Sequence, residues 1–92
     1  KGRIEKVTDE QILSAYHLLA EKEGVFVEPS SAAGVAGLIM LKEKKELMSQ
    51  KVIVITVTGN GLKDVNWILD HAPAPTIIPV DLKRAAEVIG LA

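Results

Sequence analysis

Residues 57–64, Val-Thr-Gly-Asn-Gly-Leu-Lys-Asp, carry the strongest local signal for chemistry in this chain. The run before them, residues 51–58 (Lys-Val-Ile-Val-Ile-Thr-Val-Thr), is mostly β-branched and has no polar alternation. That is the pattern of a strand covered on both faces in a parallel sheet. In open parallel sheets ligands bind beyond the carboxyl ends of the strands. Thr58 would stand at such an end as a fixed hydroxyl, with Gly59 and Gly61 flanking Asn60 to allow close backbone approach or a positive φ. The same residues also suit a tight strand-to-helix turn with a satisfied threonine, and the local pattern divides evenly between the two. A phosphate loop fits poorly, because the third glycine of the dinucleotide fingerprint is absent and Lys63 lacks the P-loop spacing. Lys63 reads as surface.

A second candidate is the run Glu28-Pro29-Ser30-Ser31-Ala32-Ala33. A helix starting at Pro29 would present free N–H groups among small side chains, a setting that suits an anion, although Glu28 beside it weakens that field. The plainer reading is a serine-capped helix packed closely on a sheet. His17 and His71 have no partner at ligand spacing and read as a helix flank and a loop. Trp67 reads as core or a lid contact. The carboxylates are scattered, so no acid–base pair, no nucleophilic triad and no metal-ligand set is assigned.

The elements that must position these residues are legible in part. Thr8 and Gln11 form a capping-box pattern, with Val7 placed to staple onto Ile12, and open a helix over residues 8–23 that Gly24 stops. Its inward face is Ile12, Tyr16, Leu19 and Ala20. Residues 25–27 form a short extended link, and a second helix runs from the Pro29 region to about residue 46. Gly34 and Gly37 inside it cost about 1 kcal/mol each against alanine, so a close backbone or a flat ligand is expected against them. Beyond the 51–58 strand, a short helix from Lys63 or Asp64 to Asp70 places Val65, Ile68 and Leu69 on one face. Residues 72–75 form a stiff loop, 76–80 a short edge strand interrupted by Pro79, and Asp81 caps a last helix over residues 82–89, ended by Gly90.

Composition limits the function classes. The 92 residues hold no cysteine, which excludes disulfides, thiolate nucleophiles and Cys-ligated metals. Eleven Lys and Arg against 12 Asp and Glu give a net charge of −1. With those charges interspersed there is no basic face for nucleic acid or an acidic membrane. No apolar run approaches the about 20 residues of a membrane span, and no signal-peptide pattern opens the chain. The aliphatic composition, with aromatics at 3%, suits a layered α/β core. The chain begins with Lys1, which leads us to expect a piece cut from something larger.

The order of the two candidate segments is informative. Residues 24–37 (Gly-Val-Phe-Val-Glu-Pro-Ser-Ser-Ala-Ala-Gly-Val-Ala-Gly) followed by residues 57–64 closely resemble the C-terminal part of the threonine synthases. These are pyridoxal-phosphate enzymes with the tryptophan-synthase-β fold, fold type II. The resemblance runs from Val-Thr-Asp-Glu-Gln-Ile (7–12) to Ile-Pro-Val-Asp (78–81) and the closing Gly-Leu-Ala (90–92), nearly the whole chain. Ser30 stands where the family usually has Ala, and Val65 where Pro commonly follows the aspartate. The resemblance implies an α/β fold: residues 1–92 would be one partial domain, the C-terminal portion of a three-layer cofactor-binding domain with a mostly parallel sheet, incomplete here.

It also implies a parent enzyme, a lyase, that converts O-phospho-L-homoserine and water to L-threonine and phosphate with pyridoxal phosphate. Thr58 falls on the family position whose hydroxyl hydrogen-bonds the cofactor's pyridine nitrogen. Gly59, Asn60 and Gly61 would shape the backbone beside the ring edge, and Glu28 would line the neighbouring wall. The family's Schiff-base lysine, its asparagine by the phenolic oxygen and its glycine-rich phosphate loop precede this segment, so no catalytic residue is assigned and Lys63 is not promoted to that role. The partners implied are the upstream remainder of the enzyme and a small-molecule substrate, within a cytoplasmic homodimer. The rivals are a fragment of a threonine/serine dehydratase or cysteine-synthase relative, where serine commonly replaces Thr58, and a self-standing α/β binding or structural module. An isolated chain should be inactive, and its bare strand edge should promote dimerisation, domain swapping or aggregation.

Overall fold

In a computed structural model that describes residues 2–47, 49 and 52–92, the order of elements is four α-helices with two irregular turns. Helix α1, Asp9–Leu18, begins as the capping box requires. The Gln11 N–H donates to Thr8 Oγ1 at 3.3 Å, and the Thr8 N–H donates to Gln11 Oε1 at 2.9 Å. A π-helical turn, Leu19–Glu23, extends it to Gly24, whose φ of +65° is the left-handed stop that glycine accepts without a Cβ penalty.

Helix α2, Pro29–Glu43, has Pro29 in its first turn. It ends sooner than the sequence pattern predicts because Lys45 turns left-handed at φ +58° and the Glu46 N–H closes onto the Leu41 carbonyl at 2.9 Å. Helices α1 and α2 pack as a pair, with Ala15, Tyr16, Val27, Ala32 and Ala36 as the buried core. The small residues of α2 let the two backbones approach. Arg3 joins the segment before α1 to the end of α2 through Glu46, at 2.7 Å.

A 3-10 turn, Gly61–Asp64, leads into α3, Val65–His71. The expected inward face of α3 is not the observed one. Val65 and Leu69 are exposed, and the helix is anchored instead by Trp67, whose ring meets Tyr16 edge-on at 4.9 Å and stacks on His71 at 4.2 Å. Helix α4, Leu82–Val88, starts at Asp81, whose Oδ1 accepts the Arg84 N–H at 2.7 Å, and gives way to Gly90 at φ +76°.

The expected strands are not formed. Lys51 lies outside the described residues; residues 52–58 and 76–80 adopt no strand, and among the described residues the one β pairing is an isolated antiparallel bridge between Val27 and Asn60. The physical reason is visible in the exposure of Val52 (95%), Val54 (86%) and Ile77 (92%): no neighbouring strand or helix layer covers them. The Cα radius of gyration is 17.7 Å, against about 12 Å for a compact chain of this length. The family-type parallel sheet is therefore not built by these residues among themselves.

Candidate functional site

The isolated bridge is what assembles the site. The Glu28 N–H donates to the Gly59 carbonyl at 2.9 Å, and the Gly61 N–H donates to the Phe26 carbonyl at 3.2 Å. These two rungs lay residues 59–61 against residues 26–28, directly before the start of α2. The two candidate segments of the sequence are thereby brought together, about 30 residues apart in the chain but in hydrogen-bond contact in space.

Ser31, in the first turn of α2 and buried, holds the loop from the helix side. Its Oγ accepts the Thr58 N–H at 3.0 Å and the Gly59 N–H at 3.1 Å, and lies 3.3 Å from Thr58 Oγ1. Thr58 Oγ1 also lies 3.5 Å from Glu28 Oε1, at the long limit of a hydrogen bond. The other oxygen of Glu28 accepts from the Lys63 ammonium at 2.7 Å. Glu28 is buried while Lys63 reaches it from solvent. The Lys63 ammonium holds the Glu28 carboxyl below its ordinary value, with burial pulling the other way, and Glu28 in turn raises the Lys63 amine. Glu28 is thus an ionised acceptor.

The glycines have local reasons. A Cβ on Gly59 would run into the Glu28 carboxyl, and a Cβ on Gly61 would lie 2.5 Å from the Phe26 ring. Asn60 caps the 3-10 turn, its Oδ1 accepting the Leu62 N–H at 3.0 Å. Gly34 is explained by the same region, because a Cβ there would meet Ile55 Cγ2 at 2.9 Å. For Gly37 the expected close neighbour is not found among the described residues, where nothing lies within 4 Å of its Cβ position.

Two contributors escaped the sequence reading. Ser31 was expected to serve as a helix cap, yet its side chain bonds the backbone of the 58–59 turn. Lys63 was expected to be plain surface, yet its ammonium completes the Glu28 pair. A local signal existed for Ser31, a second hydroxyl in the first helical turn, but none existed for Lys63, since its partner is 35 residues away. His17 and His71 are exposed, and the His71 ring is occupied with Trp67 and its carbonyl. Among the described residues no group of three His, Asp or Glu could hold a metal ion, and no helix is long and apolar enough to cross a membrane.

A hydroxyl beside Ser31, an ionised carboxylate next to it and a backbone turn clamped to a helix start thus lie together at the head of α2. This chain belongs to the family of pyridoxal-phosphate dependent enzymes, whose profile matches residues 1–59 and so includes Glu28, Ser31 and Thr58. Within that family it is similar to threonine synthases along its whole length. It is 47% identical over 91 residues to the threonine synthase of Mycobacterium leprae (99% of this chain, 25% of that protein). It is 54% identical over 91 residues to that of Synechocystis (97% and 23%), and 44% identical over 88 residues to that of Methanocaldococcus jannaschii (96% and 22%). The chain thus spans about a quarter of the length of these relatives. Membership fits the α/β class.

Proposed function

We propose that this chain is the C-terminal, pyridine-side part of a pyridoxal-phosphate dependent threonine synthase, and that Thr58 faces the cofactor's ring nitrogen. The observation that carries the reading is Thr58: the residue is exposed, its hydroxyl lies 3.3 Å from Ser31 Oγ, and its own N–H and that of Gly59 are tied to buried Ser31. The residues present fit the group. An aromatic nitrogen is matched by a neutral hydroxyl held at a set position, and Thr58 is such a hydroxyl. Pyridoxal phosphate supplies, when bound, the electron sink for carbanion chemistry at an amino acid.

The chain's own part is orientation. Thr58 would hold one edge of the ring, Gly59, Asn60 and Gly61 would keep the backbone low beside it, and Glu28 would line the neighbouring wall. A neutral hydroxyl, unlike a carboxylate, does not stabilise a protonated ring nitrogen, so it tempers the sink. The reaction in this reading is O-phospho-L-homoserine and water to L-threonine and phosphate, by a cytoplasmic homodimer. Residues 52–58 would enter a mostly parallel sheet with strands from the rest of the enzyme, which supports assigning residues 1–92 to one partial domain. The uncovered side chains of Val52, Val54 and Ile77 favour this over a self-standing module. The named relatives favour it over a dehydratase or cysteine synthase.

The test uses the complete protein that carries this segment. It should bind pyridoxal phosphate with a visible absorbance band and release phosphate from O-phospho-L-homoserine. Thr58→Val should weaken cofactor binding and change the band, while the 92 residues alone should show neither band nor turnover. Phosphate release unchanged in Thr58→Val would sink the assignment.

A further inference from the structure

Asn60 is followed directly by Gly61, so a side-chain amide carbon and the next main-chain nitrogen lie within reach of each other. Glycine has no Cβ to crowd that nitrogen. Asn60 is exposed, and its Oδ1 accepts the Leu62 N–H at 3.0 Å, which polarises the amide carbonyl toward attack. The bridge with Val27 opposes this. Gly61 is buried, and its N–H is tied to the Phe26 carbonyl at 3.2 Å. On the other side of Asn60, the Glu28 N–H holds the Gly59 carbonyl at 2.9 Å. Asn60 stands at ψ 145°, and a cyclic imide closes only when the Gly61 nitrogen swings into line with Cβ and Cγ of Asn60. That rotation takes the Gly61 N–H off Phe26.

We propose that Asn60 is a self-modification site gated by the bridge: the amide persists while the bridge holds, and is lost when residues 59–61 lift off residues 26–28. In the step, the Gly61 nitrogen bonds to Asn60 Cγ, the Cγ–Nδ2 bond breaks, and ammonia leaves with the proton from Gly61. Water then opens the cyclic imide at one of its carbonyls. Cleavage of the new bond gives aspartate, and cleavage of the main-chain bond between residues 60 and 61 gives isoaspartate. Water is the sole co-reactant. The two products differ in consequence. Aspartate keeps a side-chain oxygen to cap Leu62. Isoaspartate adds a carbon to the main chain at residue 60, so the rungs on its two sides lose register with residues 26–28 and the turn cannot close again. The inference stands on this turn alone and is independent of the cofactor reading of Thr58.

The test incubates the complete protein that carries this segment at mildly alkaline pH, once folded and once unfolded in guanidinium chloride. Peptide mass spectrometry reads the exchange of amide for carboxyl at residue 60, and an isoaspartyl methyltransferase scores isoaspartate. Asn66, the other asparagine of the 92 residues, is followed by Trp67 and serves as the internal reference. Asn60 should persist in the folded protein and convert in the unfolded one, well ahead of Asn66, with isoaspartate among the products. Ser31→Ala leaves the Thr58 and Gly59 N–H groups without their acceptor. It should favour the open turn and speed conversion in the folded protein by about 3–10-fold, the scale of one ordinary hydrogen bond.

Equal conversion in the folded and unfolded protein would overturn the gate, and Asn60 lasting as long as Asn66 in both would overturn the site. A folded Ser31→Ala protein that converts no faster than the parent also counts against the gate. Should Ser31→Ala fail to fold, the parent decides through hydrogen exchange of the Gly61 N–H along a mild denaturant series. Conversion that rises with that exchange supports the proposal, and conversion that stays slow while the Gly61 N–H exchanges freely refutes it.

Discussion

A close approach of the two segments lies between Gly61 and Phe26, and Gly61→Ala tests it. A Cβ at residue 61 would sit 2.5–2.6 Å from three atoms of the Phe26 ring edge. Carbon atoms in contact prefer about 3.5–4.0 Å, so the ring must withdraw by roughly 1 Å or more. The backbone beneath the ring is held, since the Phe26 carbonyl accepts the Gly61 N–H at 3.2 Å, so the ring itself must turn aside. Toward the core the ring meets Tyr16, with centroids 6.0 Å apart. Overpacking of this kind costs about 1–3 kcal/mol, equivalent to about 5–150-fold in the folded-to-unfolded ratio. Urea unfolding followed by the fluorescence of the single tryptophan, Trp67, reads the loss as a lower midpoint at unchanged slope. The decisive control is a double-mutant cycle with Phe26→Ala. Once the ring is gone, Gly61→Ala should cost almost nothing. A full cost in the Phe26→Ala background would refute the packing argument, and an unchanged midpoint in the single variant would refute the close approach itself.

The helix glycines should respond in opposite directions. Gly37→Ala, with open space at its Cβ, should stabilise by about 0.5–1 kcal/mol, whereas Gly34→Ala must displace Ile55 and should show no such gain; thermal melts of both variants check this. The Glu28–Lys63 pair predicts a pH window. The Glu28 carboxyl lies below its ordinary 4.5, so its stabilising contribution is present above that value and is lost as pH falls through the lowered one. Lys63 lies above its ordinary 10.5, so its contribution is complete below that value and disappears as pH rises through the raised one. A carbon-13 titration of the Glu28 carboxyl should return upward in Lys63→Met, and a carboxyl titrating at 4.5 or above in the parent protein would contradict the pairing. Val54→Lys separates the chain from the proposed whole. At a side chain 86% exposed it should change the stability of the 92 residues by less than about 0.5 kcal/mol, yet strongly destabilise the complete enzyme; equal, small effects in both would argue against a sheet built across the two parts.

Local signals carried the helices well. The capping box at Thr8, the stop at Gly24, Pro29 in the first turn of α2 and the Asp81 cap of α4 are interactions within a few residues, so sequence spacing expresses them directly. Residues 52–58 form no strand here for the complementary reason. A β-branched run states what a segment would do beside partner strands, and among the described residues no strand lies beside these. Trp67 in place of Val65 and Leu69 is a similar case, because which side of a two-turn helix faces inward is decided by where Tyr16 lies.

At the site, the sequence by itself determined the chemistry on offer: one hydroxyl at Thr58, a glycine-flanked turn, a glutamate before a helix start, and a motif order shared with threonine synthases. Only the tertiary structure decided how they act on one another. The bridge of Val27 with Asn60 brings residues 59–61 onto residues 26–28. That placement makes Ser31 the anchor of Thr58, sets Lys63 on Glu28 and fills the space above Gly59 and Gly61. The physical reason is range. Hydrogen bonds and sterics over a few ångströms decide direction, charge state and clearance, and residues about 30 apart in sequence come within that range only when the chain folds.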